Sequence, residues 1–240
     1  MHPHLVSDER ARKRFELEAR VAARIQSDHV VDVVASGIDA EEHIPYIVME
    51  LLEGEDLAAR LKQHGVLSVD EARLFFEQLC HALGAAHREG IVHRDLKPEN
   101  LFLARPRRAG EPFTVKILDF GIARVVADAR MTTTQGGIGS PLWMAPEQST
   151  TVDTIGPVTD IWALGLLAFH VLTGKYYWRS ANDEKASPIA CLGEIARGPL
   201  EPASARAKDY GQDGRLPPGF DAWFARCVCR DKAGRFQTVE

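Results

Sequence analysis

Asp95, Lys97 and Asn100 fall within six residues of one another, in His93-Arg94-Asp95-Leu96-Lys97-Pro98-Glu99-Asn100, and Asp119 follows Asn100 by nineteen residues. Two carboxylates and an amide supply oxygen ligands of the kind hard cations prefer. A carboxylate can also accept a proton, and a neighbouring ammonium can offset negative charge on an anionic reactant. Taken one at a time, these residues read equally well as ordinary loop carboxylates and caps. Their order is more telling: Asp119 opens Asp119-Phe120-Gly121, and Ala145-Pro146-Glu147 follows.

All three motifs, in that order and spacing, resemble the catalytic core of Hanks-type (eukaryotic-like) Ser/Thr protein kinases. Tyr177-Trp178-Arg179 and Gly219-Phe220-Asp221-Ala222-Trp223 resemble bacterial members more than animal ones. The resemblance implies an α+β, protein-kinase-like two-lobe fold, with a truncated small β lobe over 1–52 and a mostly helical large lobe over 53–240. It also implies ATP and Mg²⁺ (or Mn²⁺) as cofactors and protein Ser/Thr hydroxyls as acceptors. Asp95 would take the hydroxyl proton, Asp119 and Asn100 would hold the metal against the ATP phosphates, and Lys97 would offset charge on the transferred group. His93, Arg94, Phe120 and Gly121 belong to the same motifs in structural or regulatory roles.

Tyr46-Ile47-Val48-Met49-Glu50-Leu51-Leu52 resembles the strand and hinge that line the adenine site. Met49 would be the gatekeeper, the Glu50 carbonyl and Leu52 backbone would bond the base, Asp56 would lie near the ribose, and Phe102 would join the nucleotide site. Ser140, in Gly139-Ser140-Pro141, matches the segment that helps exclude tyrosine. Asp160 would fasten the catalytic-loop backbone, although a plain helix N-cap reads the same from sequence. Arg235 would pair with Glu147, a surface arginine being the alternative. Phosphorylation of Thr132, Thr133 or Thr134, by the chain itself or a sister copy, would create an anion that Arg94 could pair with.

The elements that must position these residues follow from pattern. Helices are predicted over about 8–26, 56–63, 69–88, 158–172, 188–196 and 220–229. Strands are predicted over 30–35 and 46–51 as a hairpin, then over 101–103 and 114–118 flanking a basic turn. Residues 122–141 lose periodicity and read as a long irregular loop, of a length that is functional or disordered in compact domains, and 198–218 reads as a Pro- and Gly-rich connector. The apolar run 161–172 is too short to span a membrane and predicts a buried core helix.

With 45% apolar and 26% charged residues the composition is that of a soluble globular chain, and a net charge of −5 implies no general affinity for nucleic acid or anionic membrane. The four cysteines lack paired C-x-x-C spacing and suit a cytoplasmic, reducing setting; Cys227 and Cys229, in an apolar run, read as buried free thiols, with metal ligands as the alternative.

Glu18 matches the family's helix glutamate, but nothing upstream fits the glycine-rich loop or the strand lysine that normally pairs with it. The expectation is therefore a partial domain lacking about 40 residues of that region, with its last helix cut short. Two alternatives to an active kinase stand beside it: a partner-binding pseudokinase and a fragment unable to fold.

Overall fold

The computed structural model describes residues 24–39, 44–108, 110–120, 141–149, 155–183 and 185–240. Glu18, Gly121, Thr132, Thr133, Thr134 and Ser140 lie outside them, as do nearly all of the 122–141 loop and most of the 8–26 helix. Only the end of that helix can be compared: Arg24 to Gln26 are not helical.

Strands β1 (Val33–Ile38) and β2 (Pro45–Met49) pair as an antiparallel hairpin, bulged between Val33 and Ala35. The first begins three residues later than its β-rich run predicts because the preceding residues pair elsewhere. The Val31 N–H donates to the Ile117 carbonyl (3.1 Å), and the Ile117 N–H donates to the His29 carbonyl (2.9 Å).

A second antiparallel sheet runs β3 (Gly54–Asp56), β4 (Leu101–Ala104), β5 (Thr114–Ile117). The outer edge of β5 is covered rather than left open. The buried Gln78 side chain accepts from the Val115 N–H (2.7 Å), and His29 Nδ1 donates to the Val115 carbonyl (3.1 Å).

Six α-helices lie among the described residues. Asp56 caps α1 (Leu57–His64), accepting from the Ala59 N–H at 2.8 Å. Ser68 and Glu71 form a reciprocal capping box on α2 (Val69–Arg88), satisfying two orphan donors at once. Phe75, Leu79, Leu83 and Ala86 on α2 are fully buried.

The central helix is α3 (Pro157–Thr173), apolar nearly all round and buried on every face from Thr159 to Phe169, as such a helix must be. Gly165 makes one approach possible: a Cβ there would lie 2.7 Å from both Cys227 Cβ and Val228 Cγ2. Gly174, at φ 69°, ends the helix in the left-handed conformation.

Three helices complete the body: α4 (Pro188–Arg197), α5 (Ala203–Asp209) and α6 (Phe220–Cys227). The connector predicted over 198–218 contains α5, so that prediction is corrected. The chain finishes in a 3₁₀ turn, Lys232–Gly234, and an irregular segment to Glu240. The architecture is α+β, small sheets against a mostly helical body, and no described helix is long and apolar enough to cross a membrane.

Candidate active site

The loop between α2 and β4 carries Asp95, Lys97 and Asn100, and the structure brings their side chains together. Lys97 Nζ donates to Asp95 Oδ2 at 2.7 Å, and Asn100 Nδ2 donates to the same oxygen at 3.0 Å and to the Asp95 carbonyl at 2.8 Å. Asp95 and Lys97 are partly buried, their side chains 31% and 22% exposed.

Asn100 directs its amide nitrogen to Asp95, and its Oδ1 is the side chain's acceptor atom. The Leu118 N–H donates to the Asn100 carbonyl (2.9 Å), bringing the strand exit and Asp119 beside the loop. Asp119 itself is exposed and sits at φ 57°, a left-handed conformation that a non-glycine residue adopts at a cost.

Arg94 is the other described non-glycine residue with positive φ, at 71°. Its peptide is held on both sides. The Arg94 N–H donates to Asp160 Oδ1 (2.9 Å), and Gln148 Nε2 donates to the Arg94 carbonyl (2.6 Å). The Gln148 amide is oriented in turn by its Oε1, which accepts from the Ala145 N–H at 2.8 Å.

Asp160 Oδ2 also accepts from the His93 N–H (2.9 Å) and from His87 Nε2 (2.8 Å). Asp160 is 1% exposed and stands inside α3, whose N-cap is Gly156, so the plain-cap reading does not hold. His93 is buried in a single tautomer. The Asp95 N–H donates to its Nδ1 (3.2 Å), its Nε2–H donates to the Leu118 carbonyl (2.9 Å), and its ring meets Phe120 edge-on at 4.9 Å.

Behind the loop, Arg235 and Glu147 form a two-pronged pair at 2.7 and 2.9 Å, both buried. Burial opposes ionisation of Glu147, but hydrogen bonds from Arg235 and Thr159 outweigh it and hold the carboxyl below its ordinary value. The arginine is therefore no surface residue.

In the second sheet, register sets Asp56 opposite Phe102 and Phe102 opposite Lys116, one row across β3, β4 and β5 on the face away from the buried Leu101 and Leu103. The Lys116 side chain is buried. It donates to the Val30 carbonyl (3.1 Å) and ion-pairs with Glu50. Met49 and Leu51 flank Glu50 and are exposed, Leu51 at 94%.

Gln148, His87 and Lys116 were not singled out from sequence. The first two lie outside the motif tripeptides, and Lys116 occupies an apolar strand where only its side-chain partners reveal its place.

The chain is similar to known proteins along most of its length. A family model described as the protein kinase domain matches residues 4–238. The chain is 44% identical over 85% of its length to the serine/threonine-protein kinase Pkn1 of Myxococcus xanthus, covering 28% of that protein. It is 30% identical over its whole length to the probable serine/threonine-protein kinase PknB of Bifidobacterium longum, covering 33% of it. The chain thus spans about a third of such relatives.

Among solved structures, the PknI kinase domain of Mycobacterium tuberculosis matches with a TM-score of 0.67 at 24% identity, over 100% of this chain and 78% of that one. Rad53 residues 1–466, solved with AMP-PNP, match with a TM-score of 0.71 at 24% identity, over 95% of this chain and 52% of that one. The chain belongs to the protein kinase domain family, and its named relatives are bacterial Ser/Thr kinases.

Proposed function

We propose that the chain transfers the γ-phosphoryl group of MgATP to serine and threonine hydroxyls of protein substrates, itself among them, in bacterial cytoplasmic signalling. The observation that carries the reading is the convergence of Lys97 Nζ and Asn100 Nδ2 on one oxygen of Asp95. A carboxylate so placed keeps its second oxygen for the acceptor hydroxyl, and Lys97 stands beside it to offset charge on the group in transit.

Asp119 and the Oδ1 of Asn100 would hold the metal, and a donor set of one carboxylate and one amide suits a hard cation completed by phosphate oxygens and water. When bound, Mg²⁺ neutralises charge on the phosphates. The protein's own part is positional: Asp160 and Gln148 fix the peptide before Asp95, and Asp95 receives the hydroxyl proton. The base would lie over Phe102, with the ribose towards Asp56.

The test is Asp95→Asn, assayed with Ser/Thr and Tyr peptides. Transfer to Ser/Thr peptides should fall by about 10²- to 10⁴-fold while MgATP binding persists. Wild-type transfer in the variant, or transfer to tyrosine alone, would overturn the reading.

A further inference from the structure

Glu50 is fixed from several directions. Its N–H donates to the Asp32 carbonyl (2.9 Å), and its Oε1 accepts from the Asp32 N–H (3.0 Å). The same Oε1 meets Lys116 Nζ, and Arg107 Nη2 donates to Oε2 at 3.4 Å. Lys116 is only 1% exposed, and a buried ammonium needs such partners. It takes one from each crossing between the two sheets: the Val30 carbonyl on one, the Glu50 carboxylate on the other. Farther along the hinge, the Arg105 N–H donates to the Glu53 carbonyl (2.8 Å), and the guanidinium of Arg105 pairs with the Glu53 carboxylate at 2.9 Å. The segment 50–53 is therefore anchored at both ends, with Leu51 standing in solvent between them.

We propose that Lys116, acting through the Glu50 side chain, is a positioning residue that sets the adenine preference of the nucleotide site. The inference rests on the reading above, in which the Glu50 backbone carbonyl meets the base. Adenine presents an amine donor where guanine presents a carbonyl oxygen. A carbonyl held in place therefore attracts the first base and repels the second. Discrimination of this kind depends on where that oxygen points, because a hydrogen bond weakens steeply as it is misaligned. The Asp56–Phe102–Lys116 row places the lysine on the same face of the sheet as the proposed base and ribose contacts, so the strand that seats the nucleotide also sets the hinge.

The experiment is calorimetric binding of MgATP and MgGTP to the chain and to Glu50→Gln, Lys116→Met and the double variant, with thermal unfolding alongside. The wild-type chain should prefer MgATP. Each single variant should weaken MgATP by about 10-fold while MgGTP changes less than about 2-fold, and the double variant should be no worse than either single one. Should Lys116→Met fail to fold, Glu50→Gln, which changes a partly exposed group, carries the test alone. Folded variants that keep the wild-type preference, or that weaken both nucleotides alike, overturn the positioning role and leave the kinase reading intact. A wild-type chain that binds MgGTP as tightly as MgATP removes the base-site reading itself, and the inference with it.

Discussion

Two stretches of this chain stand next to the same proposed substrate and are held by different means. At the loop 91–100, Asp160, His93 and Gln148 bind backbone groups from three directions, and Asp160 and His93 are buried. At the hinge, Lys116 is buried, but its partner Glu50 and the assisting Arg107 are 21% and 48% exposed. Beside them Val34, Tyr46, Val48 and Leu51 show large apolar surface. Hydrogen bonds shielded from water are stronger and leave a costlier vacancy when one partner is lost. The proposed reacting residues are thus set by the helical body, and the proposed base contacts by a thin, wetter set of contacts. Damage to the first should appear as lost stability, and damage to the second as altered ligand preference.

The largest effect expected from this contrast lies at Arg235. Changing Arg235→Met leaves Glu147 buried without its guanidinium partner, which should cost about 3–5 kcal/mol in unfolding free energy. Adding Glu147→Leu should recover most of that loss, because the uncompensated charge is then gone. Urea unfolding of the single and double variants measures both. A single variant as stable as the parent would mean that the pair does not brace the helical body, and the contrast with the hinge would fail.

A smaller effect is expected with pH. Glu194 on α4 accepts from the Ser180 hydroxyl and N–H, the Arg179 N–H and the buried Arg206. Burial works against its ionisation, but these donors outweigh it and bring the carboxyl down to about 2, from an ordinary value of 4.5. A carboxyl whose folded pKa is depressed stabilises the fold above its unfolded pKa. That contribution fades as pH falls from about 4.5 towards 2. Melting curves should show Glu194→Gln less stable at pH 7 and with a flatter acid limb than the parent. Parallel acid limbs would mean that the network contributes nothing specific to the body's stability.

The same contrast governs what could be read from sequence. Helix α2 matched its prediction end to end because Ser68, Glu71 and the inward row Phe75, Leu79, Leu83 are local signals. That Asp95, Lys97 and Asn100 meet was legible because one short loop carries all three. Strand β3 was missed: Gly54-Glu55-Asp56 has no strand propensity, and it pairs only because β4 arrives from far along the chain. Helix α5 was missed inside a Pro- and Gly-rich stretch, where the buried Arg206, held by Glu194, Glu201 and the Tyr177 carbonyl, fixes it by tertiary contact. Lys116 carries no signal in the sequence, and its place shows only once Glu50 and Val30 are seen around it.

The smallest effect is expected at Leu51, and it probes the exposed side of the comparison. With 94% of its surface in solvent, this side chain has almost no buried area to lose. Leu51→Ser should change unfolding free energy by no more than about 0.5 kcal/mol, the range of surface substitutions that touch no special feature. By contrast Leu167→Ala, at a fully buried position on α3, should cost about 2–5 kcal/mol through lost burial and a residual cavity. Measured together, the two leucines calibrate body against hinge in one protein. If Leu51→Ser proved as costly as Leu167→Ala, the hinge face would be packed against something in solution, and its anchoring could no longer be assigned to Lys116 and Glu50 alone.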